Sequence, residues 1–156
     1  MKAIHRPFVY LDCPFTGDKV GVDKSIAPLI DLIWKAGIET TDSCIRHSHF
    51  RKRPGFRFEC IPRTWIAFRS SEDAERFMKI VMSRLDPDDE MYKRINGDLG
   101  LDFEPEYPYH QGRHWIYDVS HTGIYQGDVP RFGVSVWFPL ADFPRVLELF
   151  KAGVVG

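Results

Sequence analysis

The chain has 156 residues, a net charge of −1, and 44% apolar and 14% aromatic residues, which suffices for a core and excludes a disordered or fibrous polymer. Its apolar runs stop far short of the roughly 18 residues a membrane helix needs, and the opening stretch MKAIHRPFVYLDCPF lacks the sustained apolar region of a signal peptide. Cys13, Cys44 and Cys60 are an odd set that argues against a disulfide framework and for a reducing, cytoplasmic location.

In chain order, FVYL (8–11) predicts a first strand, and Asp12 to Asp18, with Pro14 and Gly17, a turn. Ile26, Leu29, Ile30, Ile33 and Trp34 fall on one helical face, predicting a helix over Ser25–Ala36. Ser25 as N-cap puts Pro28 in the first turn, where a missing N–H loses no partner. Gly37 supplies the stop, and Ile38 to Cys44 reads as a strand ending on a polar, cysteine-bearing corner.

The pattern V-D-x-x-I-A-P-L-I-x-x-I-W-x-x-G-I-x-T-x-x-S-C, from Val22 to Cys44, resembles one in small uncharacterised bacterial and phage proteins. Those proteins share two later stretches, WIAFRSSEDAERFMKIV (65–81) and FGVSVWFPLADFPRVLELF (132–150). The resemblance covers about half the chain and implies no activity. A fainter similarity, to the wybutosine-synthesis tRNA methyltransferases, rests on a helix before a Thr/Ser-rich corner ending in Ser-Cys. There a small residue, Gly and Arg follow, whereas here Ile45, Arg46 and His47 follow Cys44, so that activity is not carried over.

After the corner comes the polar loop RHSHFRKRPGF, with Pro54–Gly55 at its tip. Phe56 to Cys60 alternates, Trp65 to Phe68 is a further strand, and the pair is expected to form a hairpin around Pro62. Ser70 and Ser71 cap a helix over Ser71–Leu85, which Asp86–Pro87 ends. Residues 86–112 are acidic, rich in Pro and Tyr, and read as a long irregular segment. His114 to Ser120 alternates, Gly123 and Gly127 mark a turn, and Phe132 to Phe138 is strongly β-prone. A last helix, Asp142–Lys151, takes Asp142 as cap and Pro144 in its first turn. WIAFRSSEDAERFMKIV and VSVWFPLADFPRVLELF both run strand, turn, capped helix. The expected fold is therefore a single α+β domain over 1–156. It has one mostly antiparallel sheet of five or six strands and three helices on one face, in a ferredoxin-like or duplicated arrangement.

Charge is segregated. Residues 46–69 hold seven basic residues against Glu59, while residues 86–106 hold eight acids against Lys93 and Arg94. The basic run interleaves Arg46, Arg51, Lys52, Arg53 and Arg57 with Phe50, Phe56 and Phe58, a mixture suited to phosphates and stacked bases. A solvated hairpin loop is the bland alternative. The function expected is an intracellular module binding a phosphate-bearing ligand, nucleic acid or nucleotide, through those five residues.

Two other classes compete with it. Cys44, His47 and His49, with Cys60, would suit a thiol- or zinc-dependent enzyme. Yet the spacing is not a standard zinc one, and packed structural thiols are the commoner fate of such cysteines. No metal or cofactor is expected. A phage or bacterial protein-interaction factor, docking through the acidic segment, is the other reading. His114, Asp118 and His121 form a weaker catalytic constellation, because a strand puts His121 on the opposite face from the other two.

Overall fold

The computed structural model describes residues 7–46, 50–53, 56–59, 62–96, 114–126 and 129–155, with backbone only for 46, 50–53, 56–59, 120–126, 129–132, 154 and 155. It opens on an antiparallel hairpin of β1 (Phe8–Asp12) and β2 (Lys19–Asp23). The turn is closed by the Gly17 N–H, which donates to the Cys13 carbonyl at 2.8 Å. Gly17 has a φ of +76°, a left-handed value that glycine takes without a Cβ clash.

The first helix, α1 (Ala27–Lys35), buries Leu29, Ile30, Ile33 and Trp34 as the periodicity predicts. Its start differs from expectation. The Ser25 N–H and hydroxyl both donate to Asp23 Oδ1, at 3.0 and 2.6 Å, so the serine is occupied by a charge-assisted local turn. Ile26 takes the cap position with no side-chain bond, and Pro28 lies in the first turn. At the other end Gly37 adopts φ of +78°. Arg76 donates to the Gly37 and Ala36 carbonyls at 2.8 and 2.9 Å, filling acceptors that a helix end leaves open.

There follow β3 (Thr40–Arg46), β4 (Phe50–Arg53), β5 (Phe56–Glu59), β6 (Arg63–Phe68), α2 (Ser71–Met82), α3 (Glu90–Ile95), β7 (Ile116–Gln126) and β8 (Val129–Pro139). A 3-10 turn at Leu140–Asp142 leads into α4 (Phe143–Val155). The main sheet has four strands in the order β3-β6-β8-β7, every neighbour antiparallel, while β1–β2 and β4–β5 are separate two-stranded ladders. The α+β class holds. The single sheet of five or six strands does not, and among the described residues four helices stand where three were expected. The connectivity is hairpin then helix, twice: β3–β6–α2 and β7–β8–α4, joined edge to edge through β6 and β8. A ferredoxin-like order would instead run β-α-β-β-α-β.

Alternation along β6 buries Thr64, Ile66 and Phe68 against the helices and leaves Arg63, Trp65 and Ala67 half-buried on the other face. On β8, Val136 and Phe138 join the buried set. Phe77 of α2 links the layers, its ring centroid 5.0 Å from that of Phe68 and 5.2 Å from that of Phe150 on α4. Each such ring contributes about 2–3 kcal/mol through burial. Ser70 caps α2, accepting from the Asp73 N–H at 3.2 Å, and Asp73 Oδ1 in turn accepts the Glu39 N–H at 3.0 Å. The helix start is thereby tied to the entry of β3.

Part of the segment expected to be irregular is α3. Asp89 caps it by accepting the Met91 N–H at 2.9 Å, and Met91 and Ile95 are buried. Arg94 reaches Asp142 with two hydrogen bonds, 2.6 and 3.1 Å long. The Trp115 indole N–H donates to the same carboxylate at 3.1 Å, and its ring stacks on Phe138 with centroids 4.6 Å apart. Asp142, expected to cap the last helix, spends its carboxylate on these two donors. Arg145 of α4 pairs with Asp89 at 2.8 Å. Residues 97–113, which include the remainder of the acidic stretch, lie outside the described residues.

Candidate functional site

The five basic residues singled out from sequence fall on β3, β4 and β5. Arg46 ends β3 and is the Cα partner of Arg63 on β6. On the β4–β5 ladder, Arg51 stands opposite Phe58, Lys52 opposite Arg57, and Arg53 opposite Phe56. Between Arg46↔Arg63 and Phe50↔Glu59, each strand advances by four residues, so both ladders keep one register. The basic loop therefore contains a ladder of its own, the arm, inserted in the chain between β3 and β6. This corrects the expected β5–β6 hairpin: β5 pairs with β4, and β6 with β3. The two-residue tip, Pro54–Gly55, lies outside the described residues, as do the arm's basic side chains.

At two rungs the arm sets cation against cation, Lys52↔Arg57 and Arg46↔Arg63. Like charges directly opposite in a ladder are destabilising, by some tenths of a kcal/mol.

Cys44 lies inside β3, two residues before its end, and not at a corner. It is a half-buried free thiol whose Cα partner is Trp65. His47, His49 and Cys60 lie outside the described residues, so the thiol–histidine set has no geometry here. Among the described residues no three His, Cys, Asp or Glu side chains converge in a way that would hold a metal ion. His114 precedes β7, Asp118 is exposed within it, and the His121 side chain is among those not described. The polar groups around the strand entry satisfy one another. Trp34 Nε1 donates to Thr40 Oγ1 at 2.8 Å, and the Ser43 N–H to Asp42 Oδ1 at 2.8 Å.

Sequence reading passed over the sheet face turned away from the helices. Register places Cys44, Trp65, Trp137 and Ile116 on one rung that crosses all four strands. The two tryptophan rings are 5.6 Å apart between centroids and tilted by 35°. One rung toward the arm stand Arg46 and Arg63; one rung the other way stand Asp42, Ala67, Ser135 and Asp118. The available signal was that WIAF and VWF are apolar at successive positions, hence on both faces of strands whose helices cover only one.

No family model matches the chain, and no solved structure matches it. The chain is similar to an uncharacterised protein of Acanthamoeba polyphaga mimivirus, 29% identical over 150 residues that cover 90% of this chain and 66% of the viral protein. What the fold defines by itself is an α+β protein with a four-stranded antiparallel sheet, and among the described residues no helix is long and apolar enough to cross a membrane.

Proposed function

We propose that the protein binds a phosphate-bearing ligand, nucleic acid or nucleotide, through Arg46, Arg51, Lys52, Arg53 and Arg57 on the β3–β6 arm. The observation that supports this reading is that Arg51, Lys52, Arg53 and Arg57 fall within one short antiparallel ladder, with Lys52 and Arg57 as Cα partners. An anion lying along that ladder meets several cations within a few residues, and each phosphate neutralised releases condensed counterions. Phe50, Phe56 and Phe58, interleaved in the same strands, add apolar contact surface.

The test is retention of labelled single-stranded and duplex oligonucleotides at low salt, followed by a salt titration. Affinity should fall linearly in log–log form, with a slope near −0.7 per contacted phosphate for single strands. Replacing Arg51, Lys52 and Arg53 together by Ala should abolish retention. No retention of either oligonucleotide at low salt would refute the nucleic-acid form of the proposal. A thiol or zinc centre at Cys44, His47 and His49 is the enzymatic alternative, and stoichiometric zinc in the purified protein would favour it.

A further inference from the structure

The described bonds that dock α3 come from residues distant in the chain. Arg94 Nε and Nη2 donate to the two oxygens of Asp142, at 3.1 and 2.6 Å, and the Trp115 indole donates to Oδ2 at 3.1 Å. The Trp115 backbone N–H donates to the Arg94 carbonyl at 3.1 Å, and the Tyr117 hydroxyl to the Ile95 carbonyl at 3.0 Å. Arg94 and Trp115 are therefore joined twice, once through the carboxylate and once through the backbone. At the other end of α3, Asp89 pairs with Arg145.

Toward α2 the connection is of another kind. Asp86, Pro87 and Asp88 are exposed in succession. Their bonds are local: the Asp88 N–H donates to Asp86 Oδ1 at 3.0 Å, and the Asp89 N–H to the Asp86 carbonyl at 2.9 Å. A short exposed turn of this sort can change its dihedrals without disturbing the sheet.

We infer that α3 is a latch that opens and closes as a unit on the folded sheet, with Asp142 as its catch. Six residues do not stay helical once undocked, so release of Arg94 unwinds α3 as a whole. Opening carries Met91 and Ile95, both buried, into solvent. It also frees the Trp115 N–H and the Tyr117 hydroxyl, whose acceptors lie on α3. The pairing of β6 with β8 and the contacts of Phe77 with Phe68 and Phe150 use none of these bonds and persist. The latch depends neither on the arm nor on any ligand.

Native-state hydrogen exchange on the full-length protein, read by NMR over a series of low urea concentrations, tests it. The amides of Met91, Lys93, Asn96 and Trp115 should exchange through one common opening. That opening should be faster than exchange in β6 and β8 and weakly dependent on urea, because it exposes little surface. Asp142→Asn should accelerate the four amides about tenfold or more, the effect expected for hydrogen bonds to a charged acceptor. Phe77→Leu, whose contacts survive in the open state, should accelerate β6 and β8 and leave the four unchanged. Wild-type data decide even where a variant does not fold. Four amides that exchange only with β6 and β8, or a Trp115 amide that exchanges independently of α3, overturn the latch. Equal acceleration of all amides by Phe77→Leu does the same.

Discussion

Around the acidic segment, Asp89 finds Arg145 at 2.8 Å and Asp142 finds Arg94 at 2.6 Å, each within the fold. Along the basic arm, the ladder sets Lys52 against Arg57 and Arg46 against Arg63. The first arrangement uses charge to hold a short helix in place. The second accumulates charge of one sign where it opposes the strand pairing. Pairing acid with base and placing like charges at facing ladder positions are different uses of charged residues, and they make opposite predictions when a charge is removed.

Asp142→Ala should have the largest effect. Asp142 is 4% exposed and serves two donors, and removing one member of a buried pair strands the other. The expected loss is about 3 kcal/mol, at the low end of the range because the Arg94 side chain keeps partial access to water. Urea denaturation would measure it; a loss near zero would mean that the Arg94–Asp142 pair does not anchor α3.

Asp89→Asn should cost about 0.5 kcal/mol near neutrality, since asparagine keeps the cap but not the charge. The Met91 N–H, and then Arg145, hold the Asp89 carboxyl below the usual carboxylate range. A folded-state pKa below the unfolded one means the contribution is complete above about pH 4 and fades as pH drops through the folded value. The stability gap between wild type and variant should therefore close in acid. A gap constant with pH would assign the effect to packing.

On the arm the signs reverse. Lys52→Glu places an acid opposite Arg57 and should raise stability by a few tenths of a kcal/mol, while weakening polyanion binding more than Lys52→Ala does. Smallest of all is the stability change from replacing Arg51, Lys52 and Arg53 together by Ala, expected within about 0.5 kcal/mol on a thermal melt. A large loss would show that the arm's cations are structural, and the contrast between the poles would disappear.

The helices that pack on the sheet were legible because their sequences repeat the core's geometry. Leu29, Ile30 and Ile33 declare a face, Gly37 a stop and Ser70 a cap, and each is local chemistry. α3 was hidden for the opposite reason. Six residues are too few to form a helix alone, and what holds this one is Asp142 and Arg145, some fifty positions away. Asp89 followed by Met91 and Ile95 was the only local cue. The basic residues of the site were readable as a cluster, but their arrangement was not. β5 pairs with the strand just before it and β6 with the more distant β3, and the polar run TTDSC gave no apolar pattern to announce the second pairing. Trp65 and Trp137 were visible as residues, but only strand order makes them neighbours.

The β4–β5 ladder has a graduated length. Adding two residues to each of its strands would lengthen it by about 7 Å and keep the alternation of the positions beyond the insertion. Adding one to each would lengthen it half as far and reverse that alternation. The arm is thus a ruler marked in steps of two. If the arm binds as proposed, relatives with longer or shorter versions of it should differ by even numbers per strand.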